Sequence, residues 1–292
     1  MAICASVIVP VYNEENSIKE CVESLLNLEY PSEELELVIV DNNSDDGTPE
    51  ILKNCSVKYV FEGKKGSYTA RNTGIRNSHG WFLVFTDSDC VVDREWLKNL
   101  IDVFRDPSIG VVSGRVAAYK PETLVERYSA LKALPQEEFS NRSIPFAATA
   151  NAAFRKAVLE EVGFFDENFT SGGDEEVCWR IREKGYRIVY QPKAVVYHKH
   201  RKTLEGLFKQ YVKYGEGQAR LYKKYGKRQV DWRGYLSVLW SVFIRTPWRI
   251  VNSPVKKDKI LYIATPLLDT LAQVGFKWGS IRGSLKHNTV FI

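Results

Sequence analysis

Two carboxylates one residue apart, Asp87 and Asp89, stand at the end of the apolar run Trp81-Phe82-Leu83-Val84-Phe85. A short run rich in aromatic and β-branched residues reads as a buried strand. Acidic groups at the C-terminal end of such a strand reach the crevice where open α/β sheets bind ligands. Hard oxygen donors there suit Mg²⁺ or Mn²⁺, an ion that takes one or two carboxylates and completes its shell with substrate phosphates. Alone, Asp-Ser-Asp is a common loop or cap pattern, because Asp favours caps and turns. Its neighbours change the reading. An earlier strand ends in Pro10-Val11-Tyr12-Asn13-Glu14-Glu15, and another in Asp41-Asn42-Asn43-Ser44-Asp45-Asp46-Gly47-Thr48. Small polar side chains at those ends, Asp41 and Asn43 among them, suit a ribose and a base edge. Arg71, within Gly66 to Gly74, is placed for a phosphate or a base. Neither G-x-G-x-x-G after the first strand nor G-x-x-x-x-G-K-[ST] anywhere is present, which argues against dinucleotide cofactors and P-loop chemistry.

The elements that must position these groups alternate over residues 1–110. Strands are expected at Ser6–Pro10, Leu35–Val40, Val57–Phe61, Trp81–Phe85 and Gly110–Val116. Helices are expected at Glu14–Leu28, Thr48–Asn54, Tyr68–Asn77 and Glu95–Phe104. Ile18, Cys21, Val22, Leu25 and Leu26 fall at helical spacing, and Pro49 suits a first helical turn. Strand–helix alternation predicts βαβ units and a mostly parallel sheet with flanking helices. Residues 120–200 read as α+β: helices at Leu124–Leu134, Arg155–Val162 and Glu175–Lys184, an extended Phe146–Phe154, and two short strands, Arg187–Tyr190 and Ala194–Tyr197, on either side of Pro192.

A chain of 292 residues, 44% hydrophobic, is long enough for one large domain or two modest ones. Five cysteines without C-x-x-C spacing read as buried free thiols of a reducing compartment. The first residues lack the pattern of a cleaved signal peptide. Charge is divided unevenly. Residues 199–292 carry 19 Lys+Arg against 5 Asp+Glu, a net of +14, whereas residues 1–198 carry a net of −9. A basic tail seeks polyanions. With Trp232, Trp240, Trp248 and Trp278 beside Lys and Arg, an anionic membrane surface is the expected partner and nucleic acid is not. The apolar run 260–276 contains Pro266, Asp269 and Gln273 and reads as an interfacial or re-entrant helix rather than a span. A packed helical subdomain accounts for the same aromatics equally well.

Taken in order, P-V-Y-N-E-E at 10–15, V-D-N-N-S-D-D-G-T at 40–48, A-R-N-T-G at 70–74 and T-D-S-D at 86–89 resemble the family 2 glycosyltransferases of GT-A fold. The resemblance continues in A-N-A-A-F-R at 150–155, G-F-F-D-E-N-F at 163–169, G-G-D-E-E-V-C-W-R at 172–180 and P-K-A-V-V-Y-H at 192–198. It implies a catalytic domain over 1–200 and a basic, aromatic-rich helical region over 201–292. It also implies a donor pocket of Pro10, Tyr12, Glu14, Asp41, Asn43, Arg71 and Asp87, and a metal, Mn²⁺ or Mg²⁺, on Asp89 and His198. Asp174 would be the catalytic carboxylate with Glu175 as its understudy, and Asn151 and Glu176 would touch the acceptor. Two departures stand out: Cys90 follows the D-x-D where an acidic or small residue is common, and Ala150 takes a place where glycine is frequent.

The implied activity is a metal-dependent inverting transfer of a sugar from a nucleotide-sugar donor to a hydroxyl of a glycan or lipid-linked acceptor, at the cytoplasmic face of a membrane. The leaving diphosphate needs a cation, the sugar passes through an oxocarbenium-like state, and the attacking hydroxyl needs one base. The rivals are a sugar-phosphate nucleotidyltransferase and a non-catalytic membrane- or polyanion-binding protein. The first is disfavoured because the first strand lacks a Gly-rich phosphate loop.

Overall fold

The computed structural model describes residues 4–132, 135–141, 145–226 and 258–291. They divide into two compact units. The first comprises residues 1–119, 133–168 and 173–199, and the second comprises 120–132, 169–172 and 200–292. The segments 120–132 and 169–172 cluster with the residues after 199, where the sequence predicts a boundary at 200 alone. Trp232, Trp240 and Trp248 lie outside the described residues.

The first unit is built on an eight-stranded sheet: β1 (Ala5–Val11), β2 (Leu35–Asp41), β3 (Lys58–Phe61), β4 (Phe82–Thr86), β5 (Cys90–Val92), β6 (Ile109–Ala118), β7 (Asn151–Arg155) and β8 (Arg187–His198). Their spatial order is β3-β2-β1-β4-β7-β6-β8-β5. Strands β1 to β4 pair in parallel; β7 runs antiparallel to both β4 and β6, β8 is parallel to β6, and β5 is antiparallel to β8. Six strands therefore point one way, and only β5 and β7 oppose them. β1 is buried at all seven residues, as a central strand covered on both faces must be. Pro10 lies beyond the last β1–β4 pair, Ile8 with Phe85, where its missing N–H removes no rung.

The helices of this unit follow the apolar spacing. In α1 (Ile18–Leu26) the buried residues are Ile18, Cys21, Val22 and Leu25, one stripe of a 3.6-residue period. Burying each such side chain contributes roughly 1.5–3 kcal/mol. Residues 14–17, expected as the start of this helix, are not helical: 15–17 form a turn, and the Glu14 and Glu15 amides donate to Thr48 and Asp46 of the neighbouring loop. α2 (Thr48–Lys53) carries Pro49 in its first turn. α3 (Ser67–Arg76) packs on β1 and β2. The expected helix 95–104 is α4 (Trp96–Ile101) followed by a 3₁₀ turn, Asp102–Arg105. α6 (Gln136–Ser140), α7 (Lys156–Val162) and α8 (Gly173–Glu183) complete the unit.

The two short strands expected around Pro192 are a single strand, β8, interrupted by a bulge. Its pairing with β6 jumps from Gly114–Gln191 to Arg115–Val195, so Pro192, Lys193 and Ala194 have no partner on β6. Proline sits comfortably there, having no N–H to give. Gly114 faces the bulge, and a Cβ at that position would overlap the Ala194 carbonyl oxygen and the Asn151 amide.

The second unit contains α5 (Leu124–Leu131), α9 (Leu204–Tyr225) and α10 (Lys259–His287). Thr123 and Glu126 close α5 with a reciprocal capping box. Val125, Tyr128, Leu207, Leu261 and Leu268 form its small core. Asp269 is buried there, accepting from the Tyr128 hydroxyl at 2.9 Å and pairing with Lys132 at 3.1 Å. α9 and α10 pack backbone to backbone: Gly215 meets the Phe276 carbonyl and Gly279 meets that of Val212. The expected helix 260–276 is thus part of a longer one. No described helix is long and apolar enough to cross a membrane.

Candidate active site

Strand direction decides where the polar groups gather. The C-terminal ends of β1, β2, β4 and β8 and the N-terminal end of β7 lie on one edge of the sheet, because Thr86 at the end of β4 pairs with Asn151 at the start of β7.

At the β1 and β2 ends, two loops are laced together. Asn13 donates to Asp45 at 2.6 Å and accepts from its amide at 3.0 Å; the Asn13 amide reaches Ser44 at 3.0 Å, and Glu15 accepts from the Gly47 amide at 2.8 Å. Asn13 and Asn43 both take positive φ, 52° and 64°, a region that Asn tolerates better than most residues. Asp41 is almost fully buried and accepts from the Tyr59 hydroxyl at 3.0 Å and the Ser44 amide at 3.1 Å. Tyr12 is exposed beside it, with Lys65 donating to its hydroxyl at 2.9 Å. Glu14 accepts from the Ser17 hydroxyl, and its amide donates to Thr48. Asn42, overlooked in the sequence, pins the β3–α3 loop by donating to the Glu62 and Lys64 carbonyls and accepting from the Gly66 amide at 2.7 Å.

The β4–β5 turn carries the acids. Burial pushes the Asp87 carboxyl above its ordinary value; Arg71 opposes that shift, and the Asp89 and Asp174 charges reinforce it. His198 acts on the same carboxyl, so these groups face one region. Arg71 corrects an expectation. Only 6% of its side chain is exposed, and its guanidinium donates to Asp87 at 2.7 Å, so it braces Asp87 instead of waiting for a phosphate. His198 ends β8 directly opposite Cys90, which brings its Nε2 to 3.3 Å from Asp89 Oδ1. That separation, between a carboxylate oxygen and an imidazole nitrogen, matches two donors sharing one divalent ion; the carboxylate suits Mn²⁺ or Mg²⁺, and imidazole is the less hard donor of the two. Among the described residues the donor atoms of Asp89, Cys90 and His198 all lie within 4.8 Å of one another. Burial and the Asp89 and Asp87 carboxylates hold the Cys90 thiol well above its ordinary value.

Asp174 occupies the first turn of α8, where the helix dipole favours an anion. Its Oδ1 accepts from the Tyr68 hydroxyl at 3.2 Å and the Glu175 amide at 3.1 Å, and its Oδ2 from the Thr149 amide at 3.3 Å. Tyr68 gave no sign in the sequence. Burial and the neighbouring Asp174 charge push its phenol well above its ordinary value, so it remains a donor, and its oxygen also accepts from the Gly173 amide at 2.9 Å. Glu175 is half-buried beside Asp174.

The two residues expected at the acceptor are both buried. Asn151 is fully buried; its amide nitrogen donates to the Arg115 and Ala194 carbonyls, and its oxygen accepts from the Trp96 indole at 2.8 Å. It fills the bulge of β8 and has nothing left for a sugar. Glu176 is likewise inaccessible, with both oxygens held by Arg180 at 2.9 and 2.7 Å.

The comparisons with known proteins agree with this fold. The family model for glycosyl transferase family 2 matches residues 6–163. The chain is 34% identical over 226 residues to glycosyltransferase AglE of Haloferax volcanii, covering 74% of this chain and 73% of that protein. A dolichyl N-acetyl-alpha-D-glucosaminyl phosphate 3-beta-D-2,3-diacetamido-2,3-dideoxy-beta-D-glucuronosyltransferase of Methanococcus voltae is 25% identical over 98% of each chain. Among solved structures, the mannosyltransferase PcManGT of Pyrobaculum calidifontis, in complex with GDP-Man and Mn²⁺, superposes with a TM-score of 0.65 at 21% identity, over 95% of this chain and 88% of that one. The chain belongs to glycosyl transferase family 2, with a GT-A-like mixed α/β sheet, and is a glycosyltransferase. The nucleotidyltransferase and non-catalytic readings fall with that assignment.

Proposed function

We propose that this enzyme transfers a sugar, with inversion, from a nucleotide-sugar donor to a hydroxyl of a glycan or lipid-linked acceptor, using a divalent metal. The carrying observation is the pairing of Asp89 with His198 at 3.3 Å on the same sheet edge as Asp174. The complex of PcManGT with GDP-Man and Mn²⁺, and the lipid-phosphate substrate named for the Methanococcus voltae relative, support it. Pro10, Tyr12, Glu14, Asp41 and Asn43 wall the nucleoside side. Asp87, braced by Arg71, lies next to the metal pair. A bound ion on Asp89 and His198 would offset the charge that develops on the leaving diphosphate. Asp174, fixed by three donors, takes the proton of the acceptor hydroxyl, with Glu175 adjacent.

The second unit docks the enzyme on the anionic cytoplasmic face of a membrane. Ile260, Leu267, Val274, Trp278 and Leu285 are all exposed on α10. At about 100° per residue they fall within an arc of about 40°. That apolar stripe belongs to a segment of net charge +14, the combination an interfacial helix needs.

The test is a thermal-shift series with UDP, GDP and dTDP, each with and without Mn²⁺. A ligand at about 100 Kd raises stability by roughly 2.7 kcal/mol. One nucleotide should shift the melt only with metal, and Asp89→Ala should abolish that shift. No metal-dependent shift with any of the three would overturn the donor-site assignment.

A further inference from the structure

Cys90 is the one member of this cluster that neither donor binding nor proton removal requires. It opens β5 immediately after Asp89 and is the cross-strand partner of His198. Its thiol is 1% exposed, and its Sγ lies 3.8 Å from Asp89 Oδ1, the same oxygen that faces His198 Nε2 at 3.3 Å. In a tetrahedral site with metal–sulfur bonds of about 2.3 Å and metal–nitrogen or –oxygen bonds of about 2.0–2.1 Å, donors stand about 3.6 Å apart. Two edges of the Asp89–Cys90–His198 triangle are already near that length. The third lies within 4.8 Å. Sulfur adds to the site what Mg²⁺ and Mn²⁺ do not prefer: a soft donor, which with imidazole and carboxylate makes a set suited to Zn²⁺, Co²⁺ and Cd²⁺.

We propose that Cys90 is a third, switchable ligand, so that this site takes thiophilic divalent ions of the zinc class through Asp89, Cys90 and His198 in competition with the metal that supports transfer. The inference rests on the reading of Asp89 and His198 as the metal pair. On binding, the S–H bond breaks, sulfur keeps the electron pair and donates it to the ion, and the proton passes to solvent; nothing is oxidised or reduced. A hard ion, with little preference for sulfur, uses Asp89 and His198 alone. Zinc-class ions thereby gain a ligand that Mn²⁺ does not, and hold the site against exchange.

Titration of the full chain with Co²⁺ as the spectroscopic probe decides the matter, with Mn²⁺ binding followed separately by loss of the free-ion electron paramagnetic resonance signal. The expected result is a thiolate-to-cobalt charge-transfer band in the near ultraviolet that saturates at one equivalent and is bleached by Zn²⁺. Cys90→Ser and, as a second variant, Cys90→Ala should lose that band while still binding Mn²⁺. Co²⁺ binding without the band, or a band that persists in both folded variants, overturns the proposal and leaves the metal pair standing. Failure of the wild-type chain to bind either ion overturns the proposal together with the metal reading beneath it.

Discussion

Replacing Tyr68 with Phe removes one oxygen and little else, because the ring keeps its stacking on Phe165 at 5.6 Å between centroids. That oxygen donates to Asp174 at 3.2 Å and accepts from the Gly173 amide at 2.9 Å. Gly173 is buried, so its orphaned N–H costs about 1–3 kcal/mol. Asp174 keeps its two amide donors and is half-buried, so its share falls at the lower end of the same range. Together the loss comes to roughly 2–4 kcal/mol, or a fall in Tm of about 4–16 °C at roughly 2–4 °C per kcal/mol. The carboxylate, left with one amide on each oxygen, is held less firmly; misplacing a catalytic group by about 1 Å costs on the order of 100-fold in rate. The expected steady-state result is a kcat lowered roughly 10- to 100-fold with nucleotide affinity unchanged. The same substitution in an Asp174→Asn background should lower kcat no further, since the two residues act as one unit. Equal losses of kcat in both backgrounds, or a Tm within 1 °C of wild type, would refute the positioning argument.

Other outcomes are equally specific. Burial alone would raise Glu36, but donations from the His79 amide, the Ser6 hydroxyl, the His79 ring and Lys58 outweigh it and hold its carboxyl below the usual range. Its folded value therefore lies under the unfolded one, so its stabilisation is present above about pH 4.3 and lost as pH falls toward the folded value. Wild type should exceed Glu36→Gln in denaturation midpoint at pH 7, with the gap closing in acid; a gap independent of pH rejects this. Gly279→Ala should destabilise the second unit by about 1–3 kcal/mol of overpacking, because a Cβ there meets the Val212 carbonyl, a backbone atom that no rotamer change can move. The roughly 1 kcal/mol gained in helix propensity offsets only part of that, and a thermal melt reads the difference. Leu267→Glu with Trp278→Glu should abolish sedimentation with anionic vesicles while leaving the nucleotide-induced thermal shift intact; undiminished vesicle binding places the membrane contact elsewhere.

Most strands and helices of the first unit were legible because their apolar residues repeat at the period of the element they build, as in Ile18, Cys21, Val22 and Leu25; the three-residue β5 and five-residue α6 are too short to show a period. The carboxylates at the strand ends were legible because motif order and residue type carry them. Side chains that act across long separations were not. Tyr68 and Asp174 are 106 residues apart, and Asn13 and Asp45 are 32 apart; no local pattern announces either pair. Asn151, Glu176 and Arg71 misled for a related reason: the residue type suits a ligand, but only the fold reveals that Trp96, Arg180 and Asp87 already occupy their polar atoms.

The bulge in β8 shows how far the proposed metal pair depends on a feature that reads as two strands in the sequence. Were β8 to continue in the register of Gly114 with Gln191, the residue opposite Ala118 would be Val195; the observed partner is His198. The β5 pairing would shift by the same three places and set Val195, not His198, against Cys90. No imidazole would then reach Asp89. Two residues hold the bulge open. Gly114 has no Cβ to collide with the Ala194 carbonyl, and Asn151 donates to that carbonyl at 2.9 Å and to that of Arg115 at 2.8 Å. On the proposed reading, Asn151 acts on the site through His198 rather than on an acceptor. Substituting it should weaken metal binding and stability together, whereas an acceptor contact would leave both unchanged.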